Sequence, residues 1–381
     1  MIEEGEADGS IFLRMDDWVR LIIPMLNSRL NDESAFPRWP VRMGHWTGRV
    51  SVAEGGGYTL GFPGVYATFT FTGGFLGCTT HAKNAFNAFH VSIDGGPSTL
   101  LRVPEGRAHL ILAEGLTSGT HIVRIIRRNE SWQGVVDIEA MITSAGGRLL
   151  PASEGSAASS ARKLMFVGDS ITAGAGIEEA PPELAGNHLE SNAEASFGME
   201  LGRRLQAEVH LLGYGGRGLV RDYQGLNASQ TLVAPVMFER ALPDDAMSVW
   251  DHQRFTPDAV VVGLGTNDFS FGIPEQRTWI AAYDAFITRI REVHPLAWMI
   301  LTNSPMFSVN QNAGNTARAA TLVYYLEETV KLRRTAGDER VDLLQYRHQP
   351  GRPGNGHPTG PQHQQMADDL EPLLRSRLGW D

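Results

Sequence analysis

The chain has 381 residues, of which 42% are hydrophobic and 20% are charged, and its formal net charge is -10. This length and composition predict a globular protein with more than one domain. The negative charge argues against a nucleic-acid partner, because phosphate backbones usually require a clustered basic face. No stretch approaches the roughly 20 apolar residues that cross a bilayer, so no membrane span is expected.

The single cysteine, Cys78, cannot close an intramolecular disulfide, so the fold has to be held by its hydrophobic core. A free cysteine is most often a small apolar residue of the interior, and we expect Cys78 to be packed in this way. The acidic first ten residues lack the positive charge and the apolar run of a secretory signal. A cytoplasmic protein is therefore expected, or a secreted one if the start of the chain has been processed.

Residues 1–38 predict an amphipathic helical extension. Apolar residues recur there at spacings of three and four, with Trp18 and Leu21 on one stripe. Such a stripe has to pack against another surface. Two surfaces satisfy the pattern equally well, namely the rest of the chain or a second subunit in a homo-oligomer.

Residues 39–150 predict an antiparallel β-sandwich of the jelly-roll-like kind. Phe69 and Phe71 alternate with threonines, and a second alternation around Val91 ends at a glycine turn. A parallel arrangement is less favoured, because no helix-length segment separates the strands. Further short strands, separated by glycine-rich turns, are predicted at 121–126 and 134–142.

The segment 151–162 is rich in Ala, Ser and Gly and is predicted to be a linker. From 163 to 381, short apolar runs that are typical of strands buried on both faces alternate with helical patterns. This alternation predicts an α/β domain with three α/β/α layers around a parallel sheet, in which ligands bind where the strands end. The five runs are 163–167, 209–212, 259–263, 298–301 and 341–344.

Four loops at these strand ends carry the residues with chemistry. Ser170 follows the first run and precedes a helical stretch, an arrangement that projects a hydroxyl from the edge of a sheet. Gly216 and Gly218 follow the second run, Asn267 follows the third, and His357 follows the last. Each feature alone is common in turns and helix caps. Together they supply a nucleophile, backbone N–H groups, an amide donor and a base, which serine-dependent acyl transfer requires.

These loops resemble the four signature blocks of SGNH (GDSL-like) hydrolases. The blocks are GDSITAG at 168–174, the glycine-rich segment 215–218, GTND at 265–268 and HPT at 357–359. A preceding β-sandwich, together with further matching phrases, is similar to carbohydrate esterase family two. The likeness covers about residues 39–381 and does not include the predicted N-terminal helix. The further phrases are RRNE at 127–130, WD at 250–251, His363 and MA at 366–367.

The resemblance implies an esterase that removes acetyl groups from plant polysaccharides such as xylan and glucomannan, or from their oligosaccharides, without a metal or another cofactor. Carried over by position, Ser170 would be the nucleophile and His357 the base. The oxyanion hole would comprise the N–H groups of Ser170 and Gly216 and the side-chain amide of Asn267. The supporting residues would be Asp169, Gly218, which is the reserve for Gly216, and Asn355.

Two positions depart from the family pattern. Gly354 stands where SGNH hydrolases usually place an aspartate, three residues before the histidine, to fix its tautomer. The nearest polar side chain is the neutral Asn355, and the resemblance also permits a Ser-His dyad in which a backbone carbonyl orients the ring. Gly356 stands where many family members carry an aromatic residue that could stack on sugar. Small acetylated sugars are therefore favoured over wall polymers as substrates.

Three functional hypotheses follow. The first is a serine esterase that removes O-acetyl groups from xylan- or mannan-derived sugars or oligosaccharides through an acetyl-serine intermediate. The second is a general short-chain acyl ester or thioester hydrolase, because the signature blocks specify the reaction and not the alcohol. The third is a carbohydrate-binding protein whose α/β domain is inert. The complete set of Ser, Gly, Asn and His argues against the third.

Overall fold

The computed structural model describes residues 36–152, 161–179, 189–308 and 313–381. The helix predicted within 1–38 and most of the linker predicted at 151–162 lie outside these residues. In the described part of the chain, no helix is both long and apolar enough to span a bilayer.

The first part of the chain forms two antiparallel sheets. Its strands are β1 (Arg38–Trp39), β2 (His45–Thr47), β3 (Val50–Val52), β4 (Tyr58–Leu60), β5 (Tyr66–Thr72), β6 (Leu76–Ala82), β7 (Ala88–Ile93), β8 (Thr99–Arg102), β9 (Gly106–Ala113), β10 (Thr120–Arg127), β11 (Val136–Thr143) and β12 (Arg148–Leu150). One sheet has the order β3-β4-β11-β6-β9, with β1 paired to β11. The other has the order β12-β5-β10-β7-β8, with β2 paired to β5.

The antiparallel sheets predicted from the alternating pattern are confirmed, and β5, β7, β10 and β11 overlap the four predicted strands. The pattern does not indicate β6, which lies between β11 and β9 with its first five residues all buried. A strand covered on both faces shows no alternation of apolar and polar residues. Cys78 lies on this strand, fully buried, and burial raises the pKa of its thiol to about 12.

The second part of the chain is an α/β domain around a parallel sheet of five strands in the order β14-β13-β15-β16-β17. The strands are β13 (Lys163–Gly168), β14 (Glu208–Gly213), β15 (Ala259–Gly263), β16 (Trp298–Thr302) and β17 (Val341–Leu344). The helices are α1 (Ser170–Ala173), α2 (Phe197–Leu205), α3 (Ala234–Phe238), α4 (Thr266–Ser270), α5 (Gln276–Val293), α6 (Ala313–Thr335) and α7 (Gly360–Leu378). This confirms the predicted α/β fold with a parallel sheet.

The strand order reverses beside β13, which is the topological switch point of the sheet. The connection after β13 leads to β14 on one side, whereas β15 pairs with its other side. In open parallel sheets, ligands bind at such a reversal, outside the carboxyl ends of the strands. Ser170 follows β13 and Asn267 follows β15, so the fold brings these two residues to neighbouring strand ends.

Alternate residues of β13 serve two cores. Leu164 and Phe166 pack with apolar residues of α2 and α7 on one face of the sheet. Met165 and Val167 belong to the core on the opposite face, which includes residues of α5 and α6 and continues into the β-sandwich. The two domains therefore share one hydrophobic core.

Arg49, from the sandwich, anchors this shared core. Its guanidinium group is fully buried and donates to the carbonyl oxygens of Phe238, at 2.6 Å, and Arg240, at 2.8 Å. The cation lies over the rings of Phe238 and Trp250, at 5.4 and 5.1 Å from their centroids. Burial lowers the pKa of Arg49 to about 9. A buried cation held by carbonyls and ring faces fixes the sandwich against the α/β domain.

Candidate active site

Ser170 opens the short helix α1 directly after β13. The preceding Asp169 caps this helix, because its carboxylate accepts a hydrogen bond from the Ile171 N–H at 2.9 Å. A Cβ at Gly168 would overlap the Thr172 side chain, so this position requires glycine for steric reasons. Asp169 is buried and Ser170 is half-buried. The core therefore fixes the backbone while the serine hydroxyl stays accessible.

The glycine-rich loop after β14 lies beside Ser170. Gly216 is half-buried and has a φ of 77°, a conformation that favours glycine. Gly218 is buried, and a Cβ there would overlap the Asp268 carboxylate. Of these two glycines, Gly216 is the more accessible to a ligand. The geometry therefore supports the preference for Gly216 as the backbone donor.

Asn267, in α4, lies between the first two loops. Its Nδ2 donates to Asp169 Oδ2 at 3.1 Å and to the Arg217 carbonyl oxygen at 2.9 Å. The amide thus touches the neighbour of the nucleophile and the neighbour of Gly216. Both of its N–H groups have acceptors there, so it can serve an oxyanion by sharing one of these hydrogens.

Asp268 holds the second loop in place, a role that the sequence did not indicate. Its buried carboxylate accepts from three successive N–H groups, those of Leu219 at 2.9 Å, Val220 at 2.8 Å and Arg221 at 3.3 Å. Burial raises the pKa of Asp268, whereas these three donors lower it. An aspartate beside Asn267 in the GTND block was the available signal.

His357 completes the site from the loop before α7. Its Nε2 lies 2.9 Å from Ser170 Oγ, and its Nδ1 lies 2.6 Å from Asn355 Oδ1. The structure therefore forms a continuous chain from Asn355 through the imidazole to the serine hydroxyl. Asn355 Oδ1 faces Nδ1 where the usual aspartate is missing, so it can keep the Nδ1–H tautomer whose Nε2 accepts the serine proton.

Two pKa shifts describe the electrostatics of the site. Burial lowers the pKa of His357, while a hydrogen bond with the Asn355 backbone raises it. The net lowering keeps the imidazole neutral near pH 7, the form that accepts a proton. Burial raises the pKa of Asp169 to about 6, although the Ile171 N–H favours its charged form.

Arg352 ties the histidine loop to the nucleophile loop, and the sequence did not point to it. Its two guanidinium nitrogens donate to the carbonyl oxygens of Gly176 and Ile177, both at 2.9 Å. A Cβ at Gly176 would lie 2.8 Å from His357 Cβ, so the glycine lets the two loops meet. The contact spans 176 residues of chain, which a local pattern does not reveal.

Exposed aromatic rings flank the glycine loop. Tyr223 is 54% exposed and stands over Gly216, where a Cβ would lie 2.9 Å from its ring. Trp132, from the sandwich, is 42% exposed and stands beside Gly215, 3.3 Å from the position of a Cβ there. The position before His357 is Gly356, near Met306. The aromatic surface thus comes from the glycine loop and the sandwich.

Two family models match the chain. Residues 46–152 match the family described as Carbohydrate esterase 2 N-terminal, and residues 166–371 match the GDSL-like Lipase/Acylhydrolase family. A protein of Cellvibrio japonicus named acetylxylan esterase / glucomannan deacetylase is 33% identical over 334 residues, which cover 87% of this chain and 88% of that protein.

Solved structures show the same architecture. A family two carbohydrate esterase from Cellvibrio japonicus has a TM-score of 0.81 and 31% identity, covering 91% of this chain and 98% of its own. A family two carbohydrate esterase from Clostridium thermocellum, in complex with cellohexaose, has a TM-score of 0.78 and 25% identity, covering 89% and 100%. The chain therefore belongs to the GDSL-like lipase/acylhydrolase family and, within it, to the family two carbohydrate esterases.

Proposed function

We propose that this protein is a serine esterase that removes O-acetyl groups from xylan- or mannan-derived sugars or oligosaccharides through an acetyl-serine intermediate. The observation that carries this proposal is the hydrogen-bonded chain of Asn355, His357 and Ser170, with distances of 2.6 and 2.9 Å. Such a chain activates a serine hydroxyl for attack on an ester carbonyl.

The reaction proceeds in two steps. His357 Nε2 takes the proton from Ser170 Oγ as the oxygen attacks the acetyl carbonyl carbon. The N–H groups of Ser170 and Gly216 and the Asn267 amide face the negative oxygen that develops. The imidazolium gives the proton to the sugar oxygen as the bond between this oxygen and the acetyl carbon breaks, so the sugar leaves as an alcohol and the acetyl group stays on Ser170. His357 then takes a proton from a water that attacks the acetyl-serine, and returns it to Ser170 Oγ as acetate leaves.

The name of the Cellvibrio japonicus relative and the exposed rings support a sugar substrate. That relative is named for deacetylation of xylan and glucomannan, and the Clostridium thermocellum enzyme was solved with a glucan oligosaccharide. Tyr223 and Trp132 place exposed aromatic rings beside Gly216 and Gly215, respectively, and exposed aromatic surface of this kind marks ligand-binding grooves.

Acetate release from acetylated xylo- and manno-oligosaccharides tests the proposal. Ser170→Ala and His357→Ala should each lower kcat by on the order of a thousandfold or more, because the two residues act as a unit. His348→Ala, which changes another histidine of the same segment, should stay within a few-fold of wild type. A folded Ser170→Ala variant with wild-type turnover would overturn the proposal.

The two other hypotheses are separated by the choice of substrate and probe. A general acyl hydrolase would cleave longer acyl esters as well as acetyl esters in a chain-length series, whereas an acetyl-sugar esterase should prefer the acetylated oligosaccharides. An inert α/β domain would leave Ser170 unlabelled by a serine-directed phosphonate, whereas an active site should be labelled at this residue and lose the label in His357→Ala.

A further inference from the structure

Glu130 belongs to the sandwich, but its carboxyl group packs against the glycine-rich loop of the candidate active site. The adjacent Ser131 donates its hydroxyl to the Gly213 carbonyl oxygen at 2.8 Å, which holds the segment against the end of β14. A Cβ at Gly215 would overlap Glu130 Oε2. Only glycine at 215 therefore lets this carboxyl group pack against the backbone that leads into Gly216.

The carboxyl group of Glu130 is buried, and its surroundings do little to stabilise its ionised form. Glu130 is 5% exposed, its Oε1 accepts a hydrogen bond from the Ser191 hydroxyl at 3.0 Å, and its side chain also faces the Gln133 N–H in a capping box. Among the residues that the structure describes, no hydrogen bond of normal geometry reaches Oε2, although the Trp132 indole lies close enough to favour the charged form. A buried carboxylate that lacks a cation and most of its donors is costly.

The charges that act on Glu130 from neighbouring elements are negative. They are the carboxyl groups of Asp169 and Glu190. The preceding arginines do not compensate, because Arg127 donates to the backbone carbonyls of Gly61, Asn129 and Glu130, and Arg128 binds His90, Glu178 and the Leu189 carbonyl. Burial and these two carboxyl groups raise the pKa of Glu130 to about 7, against the opposing effects of Ser191 and Trp132.

We propose that Glu130 is a positioning residue of the esterase site. Its neutral carboxyl group supports the Gly215–Gly216 backbone against which it packs, and its ionisation weakens the oxyanion site. This inference rests on the proposed function, because it assigns Gly216 as a donor to the oxyanion. The neutral acid adds no charge at this position. When Glu130 is ionised, its negative charge repels the negative charge that develops on the oxyanion and makes the transition state less favourable.

The activity should therefore fall both at low pH and at high pH. Activity falls at low pH because His357 becomes protonated and no longer acts as a base, and burial, which lowers the pKa of this imidazole, moves the decline to lower pH. Glu130 loses its proton as pH rises through about 7. If only the neutral form is competent, one-proton titration predicts that kcat/KM falls about fivefold between pH 7 and pH 8.

The test compares the pH profiles of kcat/KM for wild type, Glu130→Gln and a matched control. Glutamine keeps the size and the Ser191 contact but cannot ionise, so the alkaline decline should disappear in Glu130→Gln. Glu208→Gln is the control, because Glu208 is also a buried glutamate between the domains, 2.8 Å from His45 Nε2. The control should keep the wild-type profile. A wild type without the decline, or a Glu130→Gln variant that retains it, would overturn the inference.

Two further measurements keep the inference testable if Glu130→Gln folds poorly. Ser191→Ala removes a donor to the carboxylate, so the alkaline midpoint should move to higher pH, and an unmoved midpoint would count against Glu130.

The second measurement is thermal unfolding, which needs no activity. Folding raises the pKa of Glu130 from about 4.5 to about 7, so the free energy of unfolding should fall as pH rises between these two values and level off at higher pH. The Tm of wild type should therefore fall relative to that of Glu130→Gln between about pH 4.5 and pH 7, and the difference should stay constant above pH 7. Equal pH dependence would contradict the inference, whereas failure of the proposed function would show as full activity in Ser170→Ala.

Discussion

The two sides of the Ser170–His357 pair are held in different ways. The nucleophile side is built into the core, because Asp169 is 1% exposed and is bonded by Asn267, itself 6% exposed. The histidine side is a surface loop whose residues 353–355 are exposed and whose glycines at 351, 354 and 356 all have positive φ. Folding of the whole α/β domain therefore places the serine, whereas a few polar contacts of one surface loop place the histidine.

This contrast separates stability from activity. A change on the nucleophile side should lower both, because it leaves buried polar atoms without partners. A change on the histidine side should lower activity while the fold stays nearly as stable, since the loop can relax into water. Three substitutions test this contrast, taken from the largest expected effect to the smallest.

Asn267→Ala should have the largest effect of the three. It removes the side chain that is proposed to donate to the oxyanion, so kcat should fall roughly 100-fold or more. It also leaves Asp169 Oδ2 and the Arg217 carbonyl without the donor that they share, so the free energy of unfolding should fall by about 1–3 kcal/mol. Acetate release and denaturant unfolding measure the two effects. Asn227→Ala, in an exposed turn, is the control and should change neither. Full activity would place the oxyanion elsewhere.

Arg352→Ala should lower activity with little change in stability. It frees the histidine loop from the Gly176 and Ile177 carbonyls, and a displacement of about 1 Å at His357 costs on the order of 10- to 100-fold in kcat. KM should change little, because the exposed rings of Tyr223 and Trp132 that are proposed to contact the sugar stay in place. The free energy of unfolding should fall by no more than about 1 kcal/mol.

Arg352→Lys is the matched variant. A lysine ammonium is a point donor and lacks the planar fork that reaches both carbonyls at once, so it should restore part of the lost kcat. A stability loss in Arg352→Ala equal to that of Asn267→Ala would show that the histidine loop is as much a part of the core as the nucleophile loop is. The contrast between the two sides would then be wrong.

The same contrast explains what the sequence could predict. The five apolar runs that form β13 to β17 are visible in the sequence because β13 to β16 are buried along most of their length and β17 is at least half-buried. Ser170, Gly216, Asn267 and His357 lie in the segments that follow these runs. The contacts of Asp268, Arg352 and Glu130 were not predicted, because each of these side chains meets backbone atoms far away in the sequence. Arg352 meets Gly176 only after the α/β domain has folded, and Glu130 meets Gly215 only after both domains have folded.

The partner of His357 is an intermediate case. The sequence shows that Gly354 replaces the usual aspartate and that Asn355 is the nearest polar side chain. It does not show which group faces Nδ1, since this depends on the turn made by three glycines with positive φ. The 2.6 Å contact with Asn355 Oδ1 answers this question for the folded chain. Glycine can adopt many backbone angles, so the sequence around these three glycines does not determine which turn they form.

Asn355→Asp should have the smallest effect on rate and the most specific signature. A carboxylate 2.6 Å from Nδ1 favours the imidazolium, so the pKa of His357 should rise and the acid limb of kcat/KM should move to higher pH. The same charge stabilises the imidazolium in the transition state, so the plateau should rise by a few-fold. Asn355→Ala, the matched variant, should lower the plateau and leave the midpoint of the acid limb nearly in place. An unmoved acid limb in Asn355→Asp would mean that this side chain does not face Nδ1 during turnover, and that the backbone carbonyl orients the ring instead.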